Sequence, residues 1–156
     1  TCDAHHITAP DADGAAAIAC MQHALADAGL APDEIGHVNA HGTSTPLNDA
    51  AESDSLVKVL GGHGPPVTST KGVTGHLVGA AGAVEAVLAL QSAAAGTVPR
   101  VANLVEPDVH PALDLVIGAS RPLDGPCRPV LSNSFGFGGH NATLIVAPAP
   151  ALVGTR

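Results

Sequence analysis

The chain has 156 residues, 46% of them apolar and 13% charged, with a formal charge of −8 from 6 Lys and Arg against 14 Asp and Glu. That length fits one domain with a real core, a mean hydropathy of +0.28 excludes a disordered chain, and no basic stripe is present to meet nucleic-acid phosphates or an anionic membrane. Two Phe with no Trp or Tyr also remove the stacking platforms of single-strand binders, so each ring needs its own explanation. Cys2, Cys20 and Cys127 are odd in number and lack a CxxC spacing, which suits a reducing cytoplasm better than a disulfide or zinc framework. No charged stretch followed by an apolar one opens the chain, and the apolar run 77–90 reads as too short and too rich in Gly and Ala to span a bilayer. The first residue is Thr1 rather than Met; we expect a piece of a longer protein.

Residues 11–28 read as a helix, with Ile18, Met21, Leu25 and Ala28 at helical spacing, Asp11 or Asp13 as cap and Gly29 as stop. A strand over 35–40 ends at Asn39-Ala40-His41 and puts His41 at its carboxyl end. Thr45-Pro46 is a cap with a first-turn proline, and the helix continues over 47–60 with Asp49, Glu52, Asp54 and Lys58 as a solvated face. After a loop at 61–66, a strand over 67–70 leads into Lys71. A helix over 75–95 is small or apolar on nearly every face except at Glu85 and Gln91, so it should be buried between layers. Strands at 113–118, 130–134 and 142–147 complete the chain, the last two antiparallel around the glycine turn 136–139. The expected class is α/β, one domain over 1–147 with a frayed tail over 148–156.

Polar constellations occur at 38–46, 69–76 and 133–141, at the strand and helix ends where α/β proteins gather ligands. They nominate His41, Lys71 and His76. The blander readings are a His41 that only bonds its own Thr-Ser-Thr turn and a His76 at a solvent edge. At a helix N-terminus a buried His76 would be held neutral and able to donate an N–H to developing negative charge. A buried Glu85 requires a partner; a Lys71–Glu85 ion pair is the expectation, two unrelated surface charges the alternative. Gly136-x-Gly138-Gly139 lacks the following helix of a phosphate cradle and suits a turn with positive φ. Among nine histidines only His5 and His6 are adjacent, and no predicted helix carries an HxxxH or HxxH pair, so no metal is expected.

Four ordered motifs, His-Gly-Thr-Ser-Thr-Pro at 41–46, Ser-Thr-Lys-Gly-Val-Thr-Gly-His at 69–76, Gly-Ala-Ala-Gly-Ala-Val-Glu at 79–85 and Asn-Ser-Phe-Gly-Phe-Gly-Gly-His-Asn at 133–141, resemble the C-terminal half of a β-ketoacyl-acyl carrier protein synthase, nearest the elongating synthase II type. The resemblance runs from about Asp3 to Val146. It implies a thiolase-like fold, here its C-terminal half: a mixed sheet with a buried central helix that the other half would cover. It also implies decarboxylative Claisen condensation of a malonyl-carrier thioester with an acyl-enzyme in fatty acid elongation, with no cofactor. By the same resemblance His41, His76 and Lys71 are catalytic, with Glu85, Asp49, Thr43 and Thr45 supporting them. Phe135, Gly136, Phe137 and Gly138 form the acyl-pocket and oxyanion loop, one ring desolvating the malonyl carboxylate and the other gating the pocket. The implied partners are an acyl carrier protein and a second copy of the complete enzyme, with docking of the carrier falling to a few positions such as Lys58 or Arg100, or to the other half. His140 stands where many relatives have Thr. The nucleophilic cysteine belongs to the other half, and none of Cys2, Cys20 and Cys127 lies in such a motif. A polyketide ketosynthase, or a non-catalytic partner without that cysteine, is the alternative.

Overall fold

The computed structural model describes residues 1–123, 125 and 127–149; of the tail expected from 148, all but Pro148 and Ala149 lies outside them. Helix α1 (Ala15–Ala28) starts four residues later than its periodicity predicts, and neither Asp11 nor Asp13 caps it. The cap is Gly14, left-handed at φ 66°, where a Cβ would fall 2.1 Å from the Ser55 hydroxyl oxygen. Only glycine permits so close an approach. Asp11 belongs to the preceding turn, its carbonyl accepting the Gly14 N–H at 3.0 Å. Gly29 stops the helix as expected, donating its N–H to the Leu25 and Ala26 carbonyls.

A 3-10 turn (Pro32–Glu34) precedes strand β1 (His37–Asn39) and helix α2 (Pro46–Leu60), which has Pro46 in its first turn. Strand β2 (Val67–Thr68) leads into one helical turn, α3 (Lys71–Thr74). The helix expected over 75–95 is broken: Gly75 leaves at φ 68°, Val78–Ala80 make a 3-10 turn, and α4 is Ala81–Ala95. Gly75 and Gly79 each cost a helix about 1 kcal/mol relative to Ala, enough to let the chain turn there. Strands β3 (Thr97–Val98) and β4 (Arg121–Pro122) form a small antiparallel pair. Strands β5 (Val130–Gly136) and β6 (His140–Val146) make the expected hairpin around a 3-10 turn at Phe137–Gly139. No strand forms over 113–118; that segment only touches the β2 edge, through Val67 N–H to the Asp114 carbonyl and Val116 N–H to the Val67 carbonyl. A two-residue β2 supports no longer ladder.

The sheet runs β2-β1-β5-β6, parallel between the first three strands and antiparallel at β5–β6. Alternation sorts the side chains. Val38 and Leu131 join Met21 and Leu25 of α1 and Leu56 of α2 in the larger core, while Val130 meets Ala89 and Ala93 of α4 in a second. Helices therefore cover both faces, and all three parallel strands point their carboxyl ends the same way.

Helix α4 is not buried all round. Glu85, Ala89 and Ala93 are buried, whereas Val87 is 54% and Leu90 40% exposed. Contrary to the expectation for this run, Val78–Ala95 is long and apolar enough to cross a membrane by length and composition, with a mean hydropathy of 1.4; here its inner side packs on β5 and β6.

His37, at the start of β1, is 1% exposed and within 3.4 Å of the Ser92 hydroxyl on α4. Burial lowers its pKa from 6.5 to about 4. The unfolded chain binds this proton below pH 6.5 and the folded chain only below about 4, so stability is lost as pH falls through that window. Urea unfolding of His37→Phe should therefore vary less between pH 7 and 4.5 than wild type, by up to about 3 kcal/mol. Parallel curves would show that another group governs the acid limb.

Candidate active site

Three strand ends supply the site. His41 lies two residues beyond β1 and is buried, Lys71 lies just beyond β2, and Phe135 sits near the end of β5. The His41 and His76 rings stand 5.3 Å apart between centroids, nearly perpendicular at 84°. Phe135 approaches His41 edge-on at 5.9 Å. An imidazole pair with one apolar wall is thus assembled from residues far apart in the chain.

His76 occupies the link between α3 and the Val78–Ala80 turn, not the first turn of a long helix, and is exposed among these residues. The macrodipole argument for its neutrality therefore fails. The His76 Nδ1 accepts the Val78 N–H at 3.1 Å. That bond leaves Nε2 as the ring nitrogen free to meet a ligand. His41 is kept neutral by its surroundings. Burial lowers its pKa to about 3, helped by the positive charge of Lys71 and by His76.

The expected Lys71–Glu85 pair is formed, Nζ to Oε1 at 2.5 Å, with both side chains buried. Asp49 is half-buried beside Asn48, which donates to it at 3.1 Å. The Thr43 and Thr45 hydroxyls bond each other at 2.9 Å. Thr43, Thr45, Asp49, Lys71 and His76 line a cavity of about 470 Å³, and residues 101–104 and 106–109 form a further wall of it. That wall is pinned by Asn103, whose amide donates to the Gly72 carbonyl at 2.8 Å. A Cβ on Gly72 would come 2.2 Å from the Ala102 carbonyl oxygen, so glycine is required there. Nothing in the sequence pattern announced this wall.

Glu52, expected on a solvated face, is 4% exposed and holds the His41 loop in place. Its Oε1 accepts the His41 N–H at 2.8 Å and the Asn133 amide at 3.2 Å; its Oε2 accepts the Gly42 N–H at 2.9 Å and the Asn48 amide at 3.4 Å. Burial holds its pKa above the usual carboxylate range, and the Gly42, His41 and Asn133 donors and the charge of Lys71 offset this only in part. Every partner is an N–H donor, which is the environment of a carboxylate. One signal pointed to it: Asn48, Glu52 and Leu56 are spaced by four on one helical stripe, and all three are buried.

The glycine loop is strapped by the first residues of the chain. Asp3 N–H donates to the Gly139 carbonyl and Gly138 N–H to the Ile7 carbonyl, both at 2.7 Å, while Asn141 donates to the Asp3 carboxylate at 2.8 Å. Gly138 and Gly139 have φ of 77° and 76°, as a glycine turn demands. Gly136 is extended at φ −105°. Phe137 is 78% exposed, unlike Phe135. Cys2 lies against the Gly138 carbonyl, Cys20 is buried in α1, and Cys127 is exposed, all free; none joins the histidine pair. His140 opens β6 opposite Gly136.

A family model described as the C-terminal domain of β-ketoacyl synthase matches residues 1–105. The 3-oxoacyl-[acyl-carrier-protein] synthase 2 of Synechocystis is 49% identical over 146 residues, covering 92% of this chain and 35% of the relative. The crystal structure of a β-ketoacyl synthase from Burkholderia phymatum superposes at a TM-score of 0.87 with 38% identity, over 96% of this chain and 36% of the other. So does a type II polyketide acyl-carrier protein complex with its ketosynthase, at a TM-score of 0.87 and 32% identity over 96% of this chain and 37% of the other. The chain spans about a third of the length of the Synechocystis relative.

Proposed function

Because the chain belongs to the β-ketoacyl synthase family, matching its C-terminal domain, we propose that it supplies the decarboxylating part of a 3-oxoacyl-[acyl-carrier-protein] synthase of the elongating type. A malonyl thioester on an acyl carrier protein enters the cavity beside Thr43 and Thr45. Its carboxylate leaves as CO₂, and the electron pair of the broken C–C bond passes into an enolate whose oxygen accepts N–H bonds from His41 and His76. The enolate carbon then attacks an acyl group held as a thioester on a cysteine of the complete enzyme, and the cysteine sulfur departs as thiolate.

Each remaining residue has work in this scheme. Phe135 is the apolar wall that strips water from the malonyl carboxylate, which favours loss of a neutral product. Phe137, on the exposed loop with Gly136 and Gly138, gates the acyl pocket, and its backbone N–H serves the acyl oxyanion. Lys71, fixed by Glu85, keeps positive charge off His41; a cationic His41 would hold the carboxylate back. Asp49 supports the mouth of the cavity. The complete enzyme works as a homodimer in the cytoplasm, with Arg100 or Lys58 meeting an acidic carrier.

The single observation carrying this reading is the pair of imidazoles 5.3 Å apart against Phe135. Its test is to give the intact polypeptide malonyl and acyl thioesters of a carrier protein, trap CO₂ and weigh the carrier-bound product. The expected product is a 3-oxoacyl chain two carbons longer than the acyl donor, with one CO₂ per condensation. Repeated condensation to a poly-β-ketone would favour a polyketide ketosynthase. CO₂ release without product would mark a partner lacking the acylated cysteine, and neither CO₂ nor product would end the reading.

A further inference from the structure

A hydrogen-bonded chain leads from the outer strand of the sheet to the histidine loop. The Thr143 hydroxyl on β6 donates to Asn133 Oδ1 at 2.9 Å, and Asn133 Nδ2 donates to Glu52 Oε1 at 3.2 Å. That same oxygen accepts the His41 N–H at 2.8 Å. Asn133 is 0% exposed and fully used, since its amide nitrogen also meets the Met21 sulfur at 3.5 Å. The two ends of an asparagine amide are nearly isosteric, so only the network decides which faces Glu52. The Thr143 hydroxyl could meet either end of the amide, whereas the Glu52 carboxylate only accepts; Glu52 therefore selects the nitrogen, and Thr143 anchors the amide by its oxygen. Flipped, the amide would set its oxygen against Glu52, two acceptors with no proton between them.

We propose that Thr143 is a positioning residue: by anchoring the Asn133 amide at its oxygen it holds Glu52, and through Glu52 the His41 and Gly42 backbone, in the geometry the histidine pair requires. The role in catalysis rests on the function proposed above; the positioning itself does not. Thr143 is only half-buried and lies opposite Asn133 in the β5–β6 ladder, so replacing its hydroxyl by a methyl leaves packing intact.

The test is backbone amide hydrogen exchange in the intact polypeptide, compared among wild type, Thr143→Val and Thr143→Ser. Loss of one hydrogen bond in the chain should speed exchange at His41 and Gly42 roughly fivefold in Thr143→Val. The Val38 amide, which lies in β1 and bonds the Pro66 carbonyl just before the neighbouring β2, serves as control and should not change. Thr143→Ser, which keeps the hydroxyl, should restore wild-type exchange, and CO₂ release from a malonyl thioester should follow the same order with a lower kcat and an unchanged KM. Equal acceleration at Val38, no acceleration at His41 and Gly42, or a serine variant that behaves like valine would each overturn the proposal. If wild type releases no CO₂, the proposed function fails while the exchange data still decide the role of Thr143.

Discussion

His41→Ala and His76→Ala, each made in the intact polypeptide, are expected to slow CO₂ release from a malonyl thioester by roughly 10²- to 10³-fold, the usual cost of removing one donor from a developing oxyanion. Acylation of the cysteine, read by intact mass, should be nearly unchanged, because neither imidazole is needed to free a thiolate in the proposed scheme. The double variant should be little worse than either single one, since the two rings serve one oxygen and act as a unit. The pH response follows from the lowered pKa of His41, about 3: protonation of this ring cannot account for any loss of rate above about pH 4. A decarboxylation rate that survives either substitution, or an acylation rate that collapses with it, would reverse the assignment.

Breaking the Lys71–Glu85 pair should have the second largest effect, and mainly on stability. Both groups are buried, and they join α3 to α4 across a separation of fourteen residues. Removing one partner leaves a charge stranded in the interior, which costs about 3–5 kcal/mol. Lys71→Ala and Glu85→Ala should therefore each lower the denaturant midpoint strongly. Lys71→Met combined with Glu85→Leu should recover much of that loss, because two uncharged side chains of similar bulk carry no desolvation penalty. In that double variant His41 also loses a charge that helps keep it neutral, so its pKa should rise. If the single variants melt like wild type, the pair is not the brace we take it to be.

The main features of the fold were legible because each had a local cause. His41 could be placed at a strand end from a short apolar run followed by a turn-rich motif. The β5–β6 hairpin was announced by its glycines, and the Lys71–Glu85 pair by the scarcity of other partners for a glutamate on an apolar helix. What was missed depends on tertiary contact. The α1 start is set by how near Gly14 comes to Ser55, which no periodicity reports. The break at 75–80 hid among small residues that suit a helix and a turn almost equally. Glu52 looked solvated because it stands among Asp49, Asp54 and Lys58. Its burial depends on four N–H donors from three separate parts of the chain, and only their convergence makes an interior carboxylate tolerable.

The two-sidedness of α4 links construction to chemistry. One flank grips Lys71 through Glu85, and the opposite flank leaves Val87 and Leu90 exposed. A helix transmits a push along its length with little give, so a body seated on the outer flank also steadies the inner one. A surface seated against Val87 and Leu90 would therefore bear on the same rigid rod that carries the partner of Lys71.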